Sequence, residues 1–581
     1  MRNTIVVPAD DKFLCFCDGK AETTGGTAMD YYDVGDHTRA VTTTSPDAQL
    51  WFNRGLVWGF AYFHDEAIAC FHKAIEADPD CAMAYWGVAY ATGPNYNLPW
   101  ERRDEAMKQT SLAAAYDATQ AAMERVATAK PAEQALIKAL QARFPTREPA
   151  KIEVMRGWND AFADAMRTVH AAYPDDLDLT AVFVEAIMNR TPWNMWDQST
   201  GEPAKGAGTQ EAQAVLEAAL QDKPQAMQHP GILHLYVHLM EMSPVPERAL
   251  KAGDALRELV PDAGHLIHMP THIDIQCGHY RDVFHWNWKA TQVDQKALDR
   301  MGVYTVYTGY RIHNYHFATY GAMFLGQFEP AWKAARALVD VTPEDLLRVT
   351  SPPFADFFES YMAIWVHVLI RFGRWQQIID EALPDDPALY ANLTATLHYA
   401  KGVAHAATGD VAKAESERSL FLAARDAMPA ARRMHNVLCT EQLAVAEAML
   451  DGEIEYRRQN YDLAFARLRD AVGLEDALPY DEPWGWMQPS RHALGALLLE
   501  QGRIDEAEAV YREDLGLGGD LTRAQIHPDN VWSLAGLNDC IVARGGQATP
   551  EGRLIAQRLK LAESRCDTKV GASCFCAQAA E

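Results

Sequence analysis

A chain of 581 residues exceeds the size at which one hydrophobic core stops growing, so a multi-domain or elongated modular architecture is expected. Lys and Arg total 53 against 79 Asp and Glu, and the formal charge of −26 opposes binding to nucleic acid or to an anionic bilayer. With 48% apolar residues, 23% charged residues and no apolar run long enough to span a bilayer, the sequence reads as a soluble protein, and an N-terminus without a secretory pattern makes the cytoplasm the default compartment.

Residues 1–46 are rich in Gly and Thr, with Thr23-Thr24-Gly25-Gly26-Thr27 and Thr42-Thr43-Thr44, and carry no helical period, which predicts an irregular N-terminal arm. A different pattern starts at Trp51. Trp51, Arg54-Gly55, Trp58, Ala67, Phe71, Ala74 and Pro79 follow the offsets W-x2-L-G-x2-Y…A-x3-F…P, with Arg in place of Leu and Trp in place of Tyr. Small residues at Gly55 and Ala67 let two antiparallel helices approach, aromatics fill the gap between them, and Pro79 ends the second helix. On these residues the chain resembles the tetratricopeptide-repeat superfamily, of which it is a divergent, histidine-rich member.

The same offsets recur further along the chain. Gly-x-aromatic turns stand at Gly278-His279-Tyr280, Gly326-Gln327-Phe328 and Gly373-Arg374-Trp375; Gly452, Ala464, Leu468 and Ala471 make another unit, Leu494-Gly495, Gly502, Ala507 and Tyr511 the next, and Trp532 with Gly536 starts a last one. The resemblance implies an all-α solenoid of helical hairpins, a right-handed superhelix, over residues 47–545, and the spacing predicts roughly eight to eleven hairpins. Residues 546–581 read as one more helix and a Cys-containing tail.

Ten of the 20 histidines lie between His229 and His316, the histidine-rich central section 229–316. Ala249, Leu256 and Pro261 set the repeat frame, which puts position 1 of one unit at Pro230; the following unit starts at Gly264 and a third, framed by Ala331, Leu338 and Pro343, at Ile312. In tetratricopeptide proteins, positions 2, 5, 9 and 12 of the first helix face the concave groove. Here His234 and His238 take positions 5 and 9 of the first unit and Glu241 takes position 12; His265, His268 and His272 take 2, 5 and 9 of the second; His313 and His316 take 2 and 5 of the third, with Tyr320 at 9. Spacings of three, four and seven place side chains on one helical stripe, and adjacent hairpins bring three stripes side by side.

Imidazole is the commonest neutral metal ligand, and histidine pairs on facing helices are how helical proteins build metal sites. The set exceeds what one tetrahedral ion needs, so a mono- or dinuclear centre is expected, with copper or iron favoured by the scarcity of carboxylate and zinc fitting as well. Glu241 and Tyr320 are the candidate catalytic groups, and Arg311 beside His313 and Tyr315 beside His316 are candidates for binding a small-molecule substrate. His229, His279 and His285 fall out of phase, His229 being the best placed of them to join the set; His367 stands alone at position 9 of a later unit and reads as structural. Residues 93–97 and 480–486 are turn-rich loops with the length to fold over the groove. Cys15/Cys17 and Cys574/Cys576 form two Cys-x-Cys pairs that would make a thiolate site only if the termini met, whereas Cys70, Cys81, Cys277, Cys439 and Cys540 read as core.

No phosphate-binding glycine loop, G-x-S-x-G or H-E-x-x-H occurs. Three functions follow from the pattern: a metal-dependent oxidoreductase or oxygenase acting on a small molecule, an adaptor that binds a peptide or protein partner in the groove, and a zinc-dependent hydrolase. Against the adaptor, histidine occupies the slots where the peptide-terminus clamp of tetratricopeptide proteins carries Lys, Arg and Asn.

Overall fold

In the computed structural model, which describes residues 31–578, the chain is a succession of antiparallel helical hairpins. The first is Pro46–Phe60 against His64–Ala77, the last Val531–Ala543 against Pro550–Glu563. Among the described residues twelve such pairs follow one another, each packed on the next. This exceeds the eight to eleven expected because the full set of spaced markers does not recur in the pairs between residues 82 and 222, whose helices run to 21 residues. The pairing defines a tetratricopeptide-like solenoid. No helix among the described residues is long and apolar enough to cross a membrane.

The hairpins close as the spacing requires. A Cβ on Gly55 would sit 2.7 Å from the Phe71 ring and one on Gly87 2.4 Å from it, so Phe71 is clasped between the first helices of two successive units. At the other end of the chain Tyr511 fills the same role between Gly495 and Gly536. Each helix pair leaves an apolar face that only a neighbour can cover, and the covered faces merge into long hydrophobic cores.

Residues 31–45 run as an irregular strap over the first repeats. The Asp33 amide donates to Asp262 Oδ2 at 2.7 Å, and the Asp262 amide returns to the Asp33 carbonyl. Further on, Arg39 and His37 both reach Asp178, 139 and 141 residues away. At the far end the tail is seated against the last repeats: the Ser573 hydroxyl donates to the His492 carbonyl at 2.7 Å, and Cys574 and Cys576 are joined to each other in a disulfide. Cys574 and Cys576 therefore offer no thiolates, and Cys15 and Cys17 lie outside the described residues. Cys70, Cys81, Cys439 and Cys540 are buried as expected, and Cys277 is half-buried.

One apolar core is built mainly from residues between Tyr32 and Ile273, joined by Ala297, Tyr307, Tyr480 and Ala524, and a second draws on residues from Ile275 onward. The histidine-rich units lie where these two cores meet, in the middle of the array.

Candidate metal centre

Three first helices carry the phased histidines. Pro230–Met240 holds His234 and His238, Gly264–His268 and Pro270–Gln276 hold His265, His268 and His272, and Thr308–Phe324 holds His313 and His316. The middle helix is broken at Pro270, which has no N–H to donate and so cannot continue the ladder. Across that break His272 Nε2 comes to 2.7 Å from His268 Nε2, too close for both to carry protons.

The histidines converge as two triplets. His234, His238 and His265 make the first and His268, His272 and His313 the second, each with its ligating nitrogens within 4.8 Å of one another. The triplets adjoin: the His265 and His268 rings lie 5.8 Å apart and those of His238 and His272 6.2 Å. Between them stand two carboxyls. Glu241 Oε2 is 2.8 Å from His272 Nδ1, and Glu482 Oε2 is 3.3 Å from the same nitrogen.

Several of these imidazoles have a fixed tautomer. His234 Nδ1 donates to the Phe60 carbonyl at 2.6 Å, which leaves Nε2 as a bare lone pair with no protein partner. Asn287 uses its amide N–H groups on Thr271 and on the Val283 carbonyl, so its oxygen accepts from His268 Nδ1 at 2.6 Å and His268 Nε2 is again a lone pair. His238 Nδ1 lies against Glu241 Oε1 at 3.2 Å and its Nε2 is unpartnered; both nitrogens of His265 and Nδ1 of His313 have no protein partner either. Outer partners of this kind orient ligating histidines in metal sites.

The electrostatics agree with that geometry. Burial pushes His234 down to about 3, and burial together with the neighbouring imidazoles holds His238, His265, His268 and His313 well below the ordinary histidine range. The rings are therefore neutral at pH 7, the state a metal requires. Burial, with the charge of Glu482 beside it, raises Glu241 far above the usual carboxylate range. Glu482 is buried as well, yet His272 next to it keeps it below that range. An unpartnered buried nitrogen costs about 1–3 kcal/mol, and several here point at common centres.

Other expected site residues are placed differently. His316 is buried with both nitrogens unpartnered, but its ring faces Tyr320 and Tyr361 and belongs to neither triplet. The Tyr320 hydroxyl donates to the Trp484 carbonyl, which ties it to the loop that carries Glu482. Arg311 donates to Gln295 at 2.9 Å, and Tyr315 packs against Trp288; neither lines the cavity beside the triplets. His229 caps the Pro230–Met240 helix through Nδ1 and meets Asp178 and His37 in a separate cluster. His279 is half-exposed beside Asp274, His285 is exposed, and His367 is buried beside Gln488.

The cavity, about 160 Å³, opens onto His238, His265, His268, His272 and His313. Both turn-rich loops reach it, the first with Asn97 and the second with Glu482. Sequence spacing also gave no sign of His435, which lines the cavity from the turn of a two-stranded hairpin, Arg433–Met434 with Val437–Leu438. Glu482 and His435 come from distant loops with no helical period, so no phase could select them. The one legible signal was the density of turn residues around Glu482.

No family model matches the chain, and no curated protein is similar to it. Among solved structures it is similar to yeast Tom70 (12% identity, TM-score 0.28, covering 88% of this chain and 99% of that one). It is also similar to the human IFIT1 dimer with m7Gppp-AAAA (12%, 0.31, 90% and 91%) and to the tetratricopeptide domain of P58(IPK) (11%, 0.20, 89% and 70%). At such scores superposition adds nothing to the fold, which rests on this chain's own helix pairing.

Proposed function

We propose that this protein is a metal-dependent enzyme whose solenoid holds a dinuclear, histidine-ligated centre and acts on a small molecule. The observation that carries the reading is the pair of adjoining three-imidazole clusters, in which His234 Nε2, His238 Nε2 and both nitrogens of His265 have no protein partner and His272 Nε2 faces His268 Nε2. Ligand sets of neutral imidazole suit copper or iron, with zinc as the hydrolytic variant. A bound ion of that kind would supply redox chemistry or an activated water. His234 and His268 would present Nε2, oriented by the Phe60 carbonyl and by Asn287, while Glu241 and Glu482 stand where they can take up or release a proton between the two clusters.

A second reading, the peptide-binding adaptor, is favoured by the fold itself, since hairpin solenoids commonly present a groove to a partner. The burial of the histidines weighs against it, because His234, His238, His265 and His268 are each 2% exposed or less and the cavity above them is small-molecule sized. Elemental analysis of untagged protein decides between the two readings. About one or two equivalents of a transition metal, lost in a His268→Ala, His272→Ala double variant, is the outcome expected for a site of this ligand count. Protein that stays metal-free after reconstitution with copper, iron and zinc leaves the adaptor.

A further inference from the structure

Besides the histidines, the cavity is lined by an apolar group of side chains and by His435. Phe354 and Phe358 stack with ring centroids 5.1 Å apart, and with Val306 and Pro352 they make an apolar face. Set into the polar rim is His435, held from three sides. Its Nδ1 is 2.5 Å from Asp481 Oδ1, Arg102 donates to its carbonyl at 3.0 Å, and Trp193 meets its ring edge to face at 4.9 Å. The backbone there is left-handed, φ 49°, a conformation that non-glycine residues adopt at a cost and that concentrates at functional positions.

The hydrogen bonds also settle which nitrogen of His435 is bare. Asp481 Oδ1 accepts from the Asn436 amide at 3.3 Å, so this oxygen is an acceptor and His435 Nδ1 carries the proton. In the neutral ring His435 Nε2 is then an acceptor, on a residue that lines the cavity 5.5 Å ring to ring from His313. Arg102 is committed elsewhere, to the His435 carbonyl and to Asn436 Oδ1.

We propose that this chamber binds a small, neutral aromatic molecule bearing one hydroxyl or amine donor, its ring against Phe354 and Phe358 and its donor on His435 Nε2. The size agrees: a cavity of about 150 Å³ with apolar walls holds one benzene ring, and this one measures about 160 Å³. Recognition through a single acceptor discriminates strongly against molecules that leave it unpaired. The inference deepens the metal-centre reading and rests on it only for what the bound ring would face, namely His268, His272 and His313.

Calorimetric titration of phenol, aniline, anisole and benzoate into metal-free and metal-loaded protein tests it. Phenol and aniline should bind roughly tenfold more tightly than anisole, the loss expected when a buried acceptor goes unsatisfied. His435→Leu should erase that preference, and Phe358→Ala should weaken every compound alike. Equal affinity for phenol and anisole in the unaltered protein overturns the proposal whatever becomes of the variants. So does tighter binding of benzoate, which would shift recognition to Arg102, or no binding in either metal state. Phenol selectivity in a protein that takes up no metal would uphold the chamber while removing the metal centre.

Discussion

At the residue scale the histidine stripe obeys helix geometry closely enough to explain both its success and its one exception. Positions three apart fall about 60° short of a full turn, so His265 and His268 point to different sides of the stripe and serve different triplets. The same step carries His316 from beside His313 toward Tyr361. Close packing behind the stripe matters equally. A Cβ on Gly264 would lie 2.0 Å from Asp294 Oδ1, and Asp294 is buried, fixed by Tyr307 and Asn314, and pushed up to about 6 by its burial. Gly264→Ala should therefore cost about 1–3 kcal/mol by overpacking and displace the helix that holds His265 and His268. Urea unfolding with metal content per folded chain checks both effects; a variant with unchanged midpoint and full metal would show that Asp294 yields freely.

At the element scale the hairpin clasp makes a paired prediction. Gly495 and Gly536 face the Tyr511 ring, with Cβ positions 2.6 and 2.1 Å from it, and the Tyr511 hydroxyl is itself bonded to Ser573. Alanine at either position should destabilise by about 1–3 kcal/mol. Gly157 sits in an exposed helix interior with open space where a Cβ would go, and there alanine should stabilise by roughly 0.5–1 kcal/mol. Opposite shifts in thermal midpoint for the two sites are the expected result; the same sign at both would mean that helix propensity outweighs the clasp.

Element type was legible because the small-residue and aromatic markers are the packing itself: Gly55, Ala67 and Phe71 are the atoms in contact. Hairpin number was less so. Long helices such as Glu105–Arg125 and Ile152–Ala172 pack by area without a clasp, and area leaves no spaced motif.

For the whole molecule, buried neutral histidines make the fold acid-sensitive, opposed by buried carboxyls such as Glu185, pushed up to about 8, and Glu475, to about 7, each by burial. His64 is pushed down to about 3, and His367 and His492 to about 4, each chiefly by burial, from an ordinary value of 6.5. Below pH 6.5 the unfolded chain binds protons that the folded chain refuses, so stability is full above that value and falls as the pH drops toward 4. Each such histidine contributes a slope of about 1.4 kcal/mol per pH unit within its window. Denaturant midpoints measured at constant ionic strength should fall steadily from pH 6.5 to pH 4; a flat profile would mean that these rings are accessible to protons in the fold.

The sequence by itself determined the periodic part of this protein. Repeat markers fixed the helical hairpins, and histidines in repeat phase identified the helices whose stripes converge, because a regular helix converts spacing into direction. Tertiary structure decided what spacing cannot encode. It split the imidazoles into two triplets, sent Tyr320 to hold a loop and His316 away from both triplets, and brought Glu482 and His435 from remote loops to the same cavity. A loop has no period, so its residues acquire a place only when the solenoid that anchors its ends has folded.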